Sequence, residues 1–242
     1  MKMIDYSVFN EDCLIGMREL PDKSVDLIVT DPPFLLSGNR GGGFWSKNEN
    51  ANHYNARGTR KGMDRLVDIK DGFGEEYLDE MVRLMKKINI YLFCSQRQLP
   101  ILYKYFAEER KCNWNLLTWH KTNPIPACGN KYLNDTEYIL FFREKGVKIH
   151  GSYDTKRTFY TSLRNQRDNE RYKHPTCKPV SILSNLIINS SQEGDVVLDP
   201  FMGSGSTGEA ALTLDRNFLG YEIDRGYYET ALERIQKCMS GL

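Results

Sequence analysis

Gly203-Ser204-Gly205-Ser206-Thr207-Gly208 lies between an apolar run, Asp195-Val196-Val197-Leu198-Asp199, and the helix-forming Ala210-Ala211-Leu212. A buried strand, a glycine turn and a helix, in that order, open a nucleotide-binding βαβ unit. Glycine is needed there because the backbone must turn tightly and come close to a ligand. Ser206 and Glu209 have the spacing of a capping box for the helix. The next apolar run, Phe218-Leu219-Gly220-Tyr221-Glu222-Ile223, carries Glu222 where such units take ribose hydroxyls. By itself the pattern admits any adenosine cofactor, NAD and S-adenosylmethionine (AdoMet) alike.

Three features favour AdoMet. Asp199-Pro200-Phe201 precedes the glycines, and a carboxylate there suits a cationic amino group better than a pyrophosphate. The turn holds no lysine or arginine to offset a phosphate. The third feature is a second strand end. Val25-Asp26-Leu27-Ile28-Val29 reads as a buried parallel strand and delivers Thr30-Asp31-Pro32-Pro33-Phe34 at its carboxyl end, where open α/β sheets bind ligands. The two prolines fix two φ angles, Asp31 and the Pro32 carbonyl form a rigid pair of acceptors, and Phe34 adds a flat face. Together they suit a planar ring carrying an NH2 group. Amine methylation needs that acceptor chemistry and hydride transfer does not.

The remainder alternates strands and helices, which predicts a doubly wound α/β sheet in one domain over residues 1–242. Strands are expected at 4–9, 25–31, 88–94, 114–119, 137–142, 195–199 and 218–223. Helices are expected at 13–20, 75–88, 96–110 and 226–239, with a further one opened by Pro179 at its first position. Trp114 and Trp119 read as core, and His174 as a loop anchor.

Two stretches break the alternation. Residues 35–74 form a basic loop insertion in which, between 37 and 65, six cations (Arg40, Lys47, Arg57, Arg60, Lys61, Arg65) face two anions. Residues 143–173 form an irregular segment with nine cations against four anions, interleaved with Tyr153, Phe159, Tyr160 and Tyr172. Basic residues among aromatics mark nucleic-acid contact. The expected DNA contacts are Arg40, Lys47, Arg57, Arg60, Lys61, Lys156, Arg157, Arg164, Arg167 and Arg171, although the net charge of +1 gives no global signal. Six cysteines form no Cys-x-x-Cys pair and four histidines are scattered, so no metal site is expected and a reduced, cytoplasmic setting fits. No apolar run reaches the ~18 residues of a membrane span, and no secretory segment is seen at the start.

Five segments in this order resemble the AdoMet-dependent DNA amino-methyltransferases of the permuted β class. They are Asp12-Cys13-Leu14, the stretch from Ser24 to Phe34, His174-Pro175-Thr176-Cys177-Lys178-Pro179, the stretch from Asp199 to Thr207, and the stretch from Phe218 to Asp224. In that class the catalytic D/S-P-P-Y/F motif precedes the glycine-rich motif. The resemblance implies a Rossmann-like seven-stranded sheet with helices on both faces, its last strand antiparallel, and a circularly permuted motif order. It implies that Asp31, Pro32, Pro33 and Phe34 hold the target base. It also implies that Asp199, Phe201, Gly203, Gly205 and Thr207 meet the methionine side of AdoMet, and that Glu222 takes the ribose. Asp12 and Cys13 would contact the adenine, and Thr176 and Lys178 would close over the methionine end, with Asp31 itself bordering the cofactor.

Double-stranded DNA is the implied partner, and a base must be flipped out of the duplex to reach such a site. Asp at position 31 leans to adenine N6 over cytosine N4 by analogy within the family. The short segment at 143–173 is the implied target-recognition segment. Adenine in RNA, cytosine in DNA, an NAD-linked oxidoreductase and a non-catalytic binding module are the alternatives; a homodimer and a paired restriction enzyme are left open.

Overall fold

The computed structural model describes residues 5–33, 73–126, 129–130 and 132–240. Phe34, Arg40, Lys47, Arg57, Arg60 and Lys61 lie outside the described residues. The elements in chain order are β1 (Tyr6–Phe9), α1 (Cys13–Glu19), β2 (Leu27–Thr30), α2 (Glu75–Leu84), β3 (Asn89–Cys94) and α3 (Leu99–Tyr103). A π-helical turn, Lys104–Glu109, continues α3 and leads to β4 (Asn113–Lys121), β5 (Thr136–Arg143), β6 (Phe159–Ser162) and α4 (Gln166–Arg171). The chain ends with α5 (Val180–Ser190), β7 (Val196–Asp199), α6 (Ser206–Thr213), β8 (Asn217–Tyr221) and α7 (Arg225–Ser240).

The strands form one sheet in the order β1-β8-β7-β2-β3-β5-β4-β6. All neighbours are parallel except around β5, which runs antiparallel to both β3 and β4. The apolar runs of β2, β3 and β7 are continuous because both faces of the sheet are covered. Leu27, Val29, Tyr91 and Phe93 point to a core closed by α5, α6 and α7. Ile28, Ile90, Leu92 and Cys94 point to the opposite core, closed by α1, α2 and α3.

Among the described residues the sheet has eight strands where seven were implied. The extra edge strand β6 comes from within the segment 143–173 read as irregular: Phe159–Ser162 pairs with β4 and buries Tyr160. The same segment also forms α4. The antiparallel strand is the fifth in the chain rather than the last. The helix expected at 75–88 stops at Leu84, and Met85 then bridges to Val25. Pro179 precedes the first residue of α5, and its carbonyl accepts the Ile182 and Leu183 amides. Ser206 makes no cap, since Gly205 is the N-cap of α6 and Glu209 pairs with Arg234 instead. Trp119 is core, but Trp114 lies at the exposed start of β4, 44% accessible and edge-on to Tyr103.

Candidate active site

β2 and β7 are hydrogen-bonded neighbours, so the residues after their carboxyl ends are thrown together. Thr30 Oγ1 donates to Asp199 Oδ1 at 2.6 Å and locks the two ends. The next residue, Asp31, has a divided carboxylate. Its Oδ2 accepts from Lys178 Nζ, while its Oδ1 is buried with no partner among the described residues. Burial pushes the Asp31 carboxyl above its ordinary range, and the Lys178 ammonium opposes that shift. The Pro33 carbonyl accepts from Gln98 Nε2 at 3.0 Å, which fixes the proline segment from α3's side.

Across β7 and β8 the acids are held without cations among the described residues. Asp199 Oδ1 also accepts the Phe201 amide at 3.1 Å, and the Thr207 hydroxyl donates to the same carboxylate. Burial pushes Asp199 up to about 6, against these hydrogen bonds. Glu222 accepts the Gly203 amide at 3.0 Å and the Asp224 amide at 2.8 Å, and burial lifts it to about 7. Asn10 Nδ2 donates to the carbonyls of Glu222 and Ile223, fixing that strand end. In the turn, Gly205 has φ +76°, and a Cβ there would come within 3.1 Å of the Ala231 backbone. Only glycine meets both demands without strain.

An aromatic wall stands beside these acids. Phe201 lies 6.0 Å from Tyr77 and 5.9 Å from Phe73, ring centre to ring centre. Burial, then Asp12 and Cys13, raise the Tyr77 hydroxyl above its ordinary value, so α2 faces the start of α1 here. Asp12 caps α1 by accepting the Leu14 amide at 2.8 Å. Cys13 is buried, and its thiol is pushed well above the ordinary range, first by burial and then by Asp12.

The third part is the loop before α5. His174 lies on the glycine turn, its Nε2 2.9 Å from where a Cβ of Gly203 would stand, and its ring meets Tyr227 edge-on at 4.5 Å. Burial, then the Lys178 and Arg234 cations, lower His174 to about 4, so it is neutral at physiological pH. α4 holds this loop. Asn169 donates to the Pro175 carbonyl and accepts the Cys177 amide, both at 2.9 Å. Asp168 reaches the buried Arg234 at 3.4 Å, and Arg234 also binds Glu209 and Ser206 on α6. The basic segment and the glycine turn are therefore one connected structure.

The family model described as "DNA methylase" matches residues 25–233. A type II methyltransferase of Lactococcus lactis subsp. cremoris, M2.LlaDCHI, is 30% identical over 243 residues, covering 91% of this chain and 86% of that one. The type II methyltransferase M2.MboI of Moraxella bovis is 28% identical, covering 96% of this chain and 88% of that one. The chain belongs to the DNA methylase family. The methylase shares its fold with the crystal structure of the M1.HpyAVI–SAM complex, at TM-score 0.68 and 24% identity, covering 95% of this chain and 98% of that one. It shares it also with the PvuII cytosine-N4-specific DNA methyltransferase, at TM-score 0.64 and 13% identity, covering 99% and 94%.

In the methylase, Asp31, Pro32, Pro33, Asp199, Phe201, Gly203, Gly205, Thr207 and Glu222 gather at the carboxyl ends of β2, β7 and β8. Asp12 and Cys13 lie beside them, at the start of α1. The Lys178 ammonium is engaged by Asp31 and faces Glu137. Thr176 is exposed, its amide donating to His174 Nδ1 at 3.3 Å. Lys156, Arg157, Arg167 and Arg171 are exposed and Arg164 is half-buried. Sequence reasoning missed Tyr77, one residue within an expected helix, and missed Glu137, the first residue of an expected strand. Among the described residues no helix is long and apolar enough to cross a membrane, and no group of acids, cysteines and histidines could hold a metal.

Proposed function

We propose that this methylase transfers the methyl group of AdoMet to the exocyclic N6 amine of adenine in double-stranded DNA. The observation that carries the reading is the unpartnered Asp31 Oδ1, a buried acceptor one strand away from the glycine turn. A buried acceptor without a donor is costly; an N–H of a flipped base's amine satisfies it.

The residues present fit AdoMet. Asp199 is buried and Glu222 half-buried, and among the described residues neither has a lysine or arginine partner, which suits the cationic amino group and the ribose hydroxyls. Phe201, Tyr77 and Phe73 offer apolar faces for a purine, next to Asp12 and Cys13. When bound, AdoMet supplies a sulfonium methyl, an electrophile strong enough for direct transfer. The chain does the rest. An aryl amine is a poor nucleophile because its lone pair is delocalised into the ring. Asp31 Oδ1 and the Pro32 carbonyl accept its two N–H bonds and favour a pyramidal nitrogen with an available lone pair. Positioning and preorganised acceptors account for the catalysis, with no covalent enzyme intermediate. The amine proton leaves to solvent.

Lys156, Arg157, Arg164, Arg167 and Arg171 form the proposed phosphate contacts, offsetting the cost of flipping, a few kcal/mol. The enzyme works in the cytoplasm, and its free thiols (Cys13, Cys94, Cys112, Cys177, Cys238) suit that compartment. Asp at position 31 favours adenine, while the shared fold of a cytosine-N4 enzyme keeps cytosine as the second reading. Methylating DNA with labelled cofactor, digesting it and identifying the nucleoside tests both. N6-methyl-2′-deoxyadenosine is expected; N4-methyl-2′-deoxycytidine would favour the second reading, and an unlabelled digest would overturn both.

A further inference from the structure

Behind Asp31 runs a buried row of alternating charges, and its two far members belong to none of the five family segments. Lys121 at the end of β4 places Nζ 2.6 Å from Glu137 Oε1 at the start of β5. Glu137 Oε2 faces Lys178 Nζ at 3.3 Å, a charge contact rather than an aligned hydrogen bond, and Lys178 Nζ donates to Asp31 Oδ2. The side chains of Lys121 and Glu137 are each only 14% accessible, Lys178 7% and Asp31 23%. The Phe93 ring lies 5.2 Å below the Lys178 ammonium and bars it from sinking further.

Strand register builds the row. Glu137 stands opposite Trp119, so Lys121 is its diagonal neighbour on the same face. A buried ion row is no better for stability than packed apolar side chains of the same volume. Its use must lie at its free end, which is Asp31 Oδ1.

We propose that Glu137 and Lys121 are positioning residues for methyl transfer: they hold the Lys178 ammonium at Asp31 Oδ2, leaving Oδ1 as an undivided acceptor for the target amine. This rests on the proposed function of Asp31. An ammonium has three donors. Glu137 draws Lys178 to the Oδ2 side, and without that pull its ammonium can reach across both oxygens of Asp31. Without Lys178, burial leaves Asp31 prone to protonation, and a protonated carboxyl donates where it should accept. The Lys178 ammonium opposes that protonation, and Oδ1 stays the acceptor.

Among the described residues the charged and titratable groups that face Asp31 are Lys178, Glu137 on β5, Lys121 on β4, Cys94 on β3 and Asp199 on β7. Glu137 raises the Asp31 carboxyl and Lys121 lowers it. Opposite signs follow. Glu137→Gln shifts the Asp31 titration to lower pH and Lys121→Gln shifts it to higher pH, each by about half a pH unit or more.

The experiment follows Asp31 by 13C NMR of the carboxyl carbon, assigned by Asp31→Asn, together with kcat–pH profiles on DNA. Expected are opposite shifts of the titration and of the acid limb of kcat. A kcat loss of about tenfold is expected in Glu137→Gln, with KM for AdoMet nearly unchanged. Glu137→Asp should recover part of it. Shifts of equal sign, or none in a folded variant, overturn the positioning role. If Glu137→Gln does not fold, the Lys121→Gln shift decides alone, and its absence overturns the proposal. The NMR arm needs no turnover, so it separates failure of this proposal from failure of wild-type protein to methylate DNA.

Discussion

The two strand ends that meet in this site hold their acids in opposite ways. At the end of β2, Asp31 is backed by Lys178, then Glu137, then Lys121. At the ends of β7 and β8, Asp199 and Glu222 are held by hydroxyls and backbone amides, and the nearby charges that act on them are other carboxylates. The first end is electrically complete and lacks only donors. The second is deficient in positive charge. A neutral amine suits the first, and a ligand carrying an ammonium and a sulfonium suits the second. The difference teaches that one cleft can serve a neutral and a cationic substrate by giving each acid a different kind of support.

The largest expected effect separates the two ends. Asp31→Ala should lower methyl transfer by about 10²–10³-fold, as loss of a preorganised polar group does, while AdoMet affinity changes less than about threefold. Filter-binding of labelled DNA and calorimetry measure the two; an equal fall in both would mean that the ends are not independent. Asp199→Asn should show the reverse pattern. Its charge-assisted contacts are worth roughly 1.5–3 kcal/mol, about a tenfold to hundredfold rise in the AdoMet Kd.

The pH dependence of cofactor binding is a finer contrast. Hydroxyls and an ammonium bind the ionised carboxylates. Since Glu222 titrates at about 7 and Asp199 at about 6, AdoMet affinity should rise from pH 5.5 to 8. Calorimetry across that range should give a gain of several-fold, and Glu222→Gln should flatten its upper part. The smallest effect is structural. Gly205→Ala puts a Cβ on a backbone at φ +76° beside Ala231, which should cost about 1–2 kcal/mol. Thermal unfolding should show a drop of roughly 2–4 °C for each kcal/mol lost.

The second end was far more legible in the sequence than the first. Asp199, Gly203, Gly205 and Glu222 act through local geometry: a strand, a tight turn and the next strand's end are all written within a short span. Asp31 was readable for the same reason. The pairing of Lys178 with Asp31 was not, because the two are 147 positions apart in the chain. Glu137 and Lys121 depend on the register of β4 against β5, and one residue of slip would put them on opposite faces. The eighth strand was hidden because Phe159–Ser162 is short, lies at an edge and is flanked by charges. Trp114 shows the limit of composition: its size suggested core, but its place at the outer start of a strand leaves it half open to solvent.

The bond between Thr30 and Asp199 has a wider consequence. It joins two tips that stand one ladder rung apart, about 4.8 Å in any sheet. Such a gauge belongs to the hydrogen-bonded ladder and not to the linkers. A gene cut in one surface loop and rejoined in another would shuffle which acid is translated first and leave the gap untouched, so rearranged chain order costs this chemistry nothing.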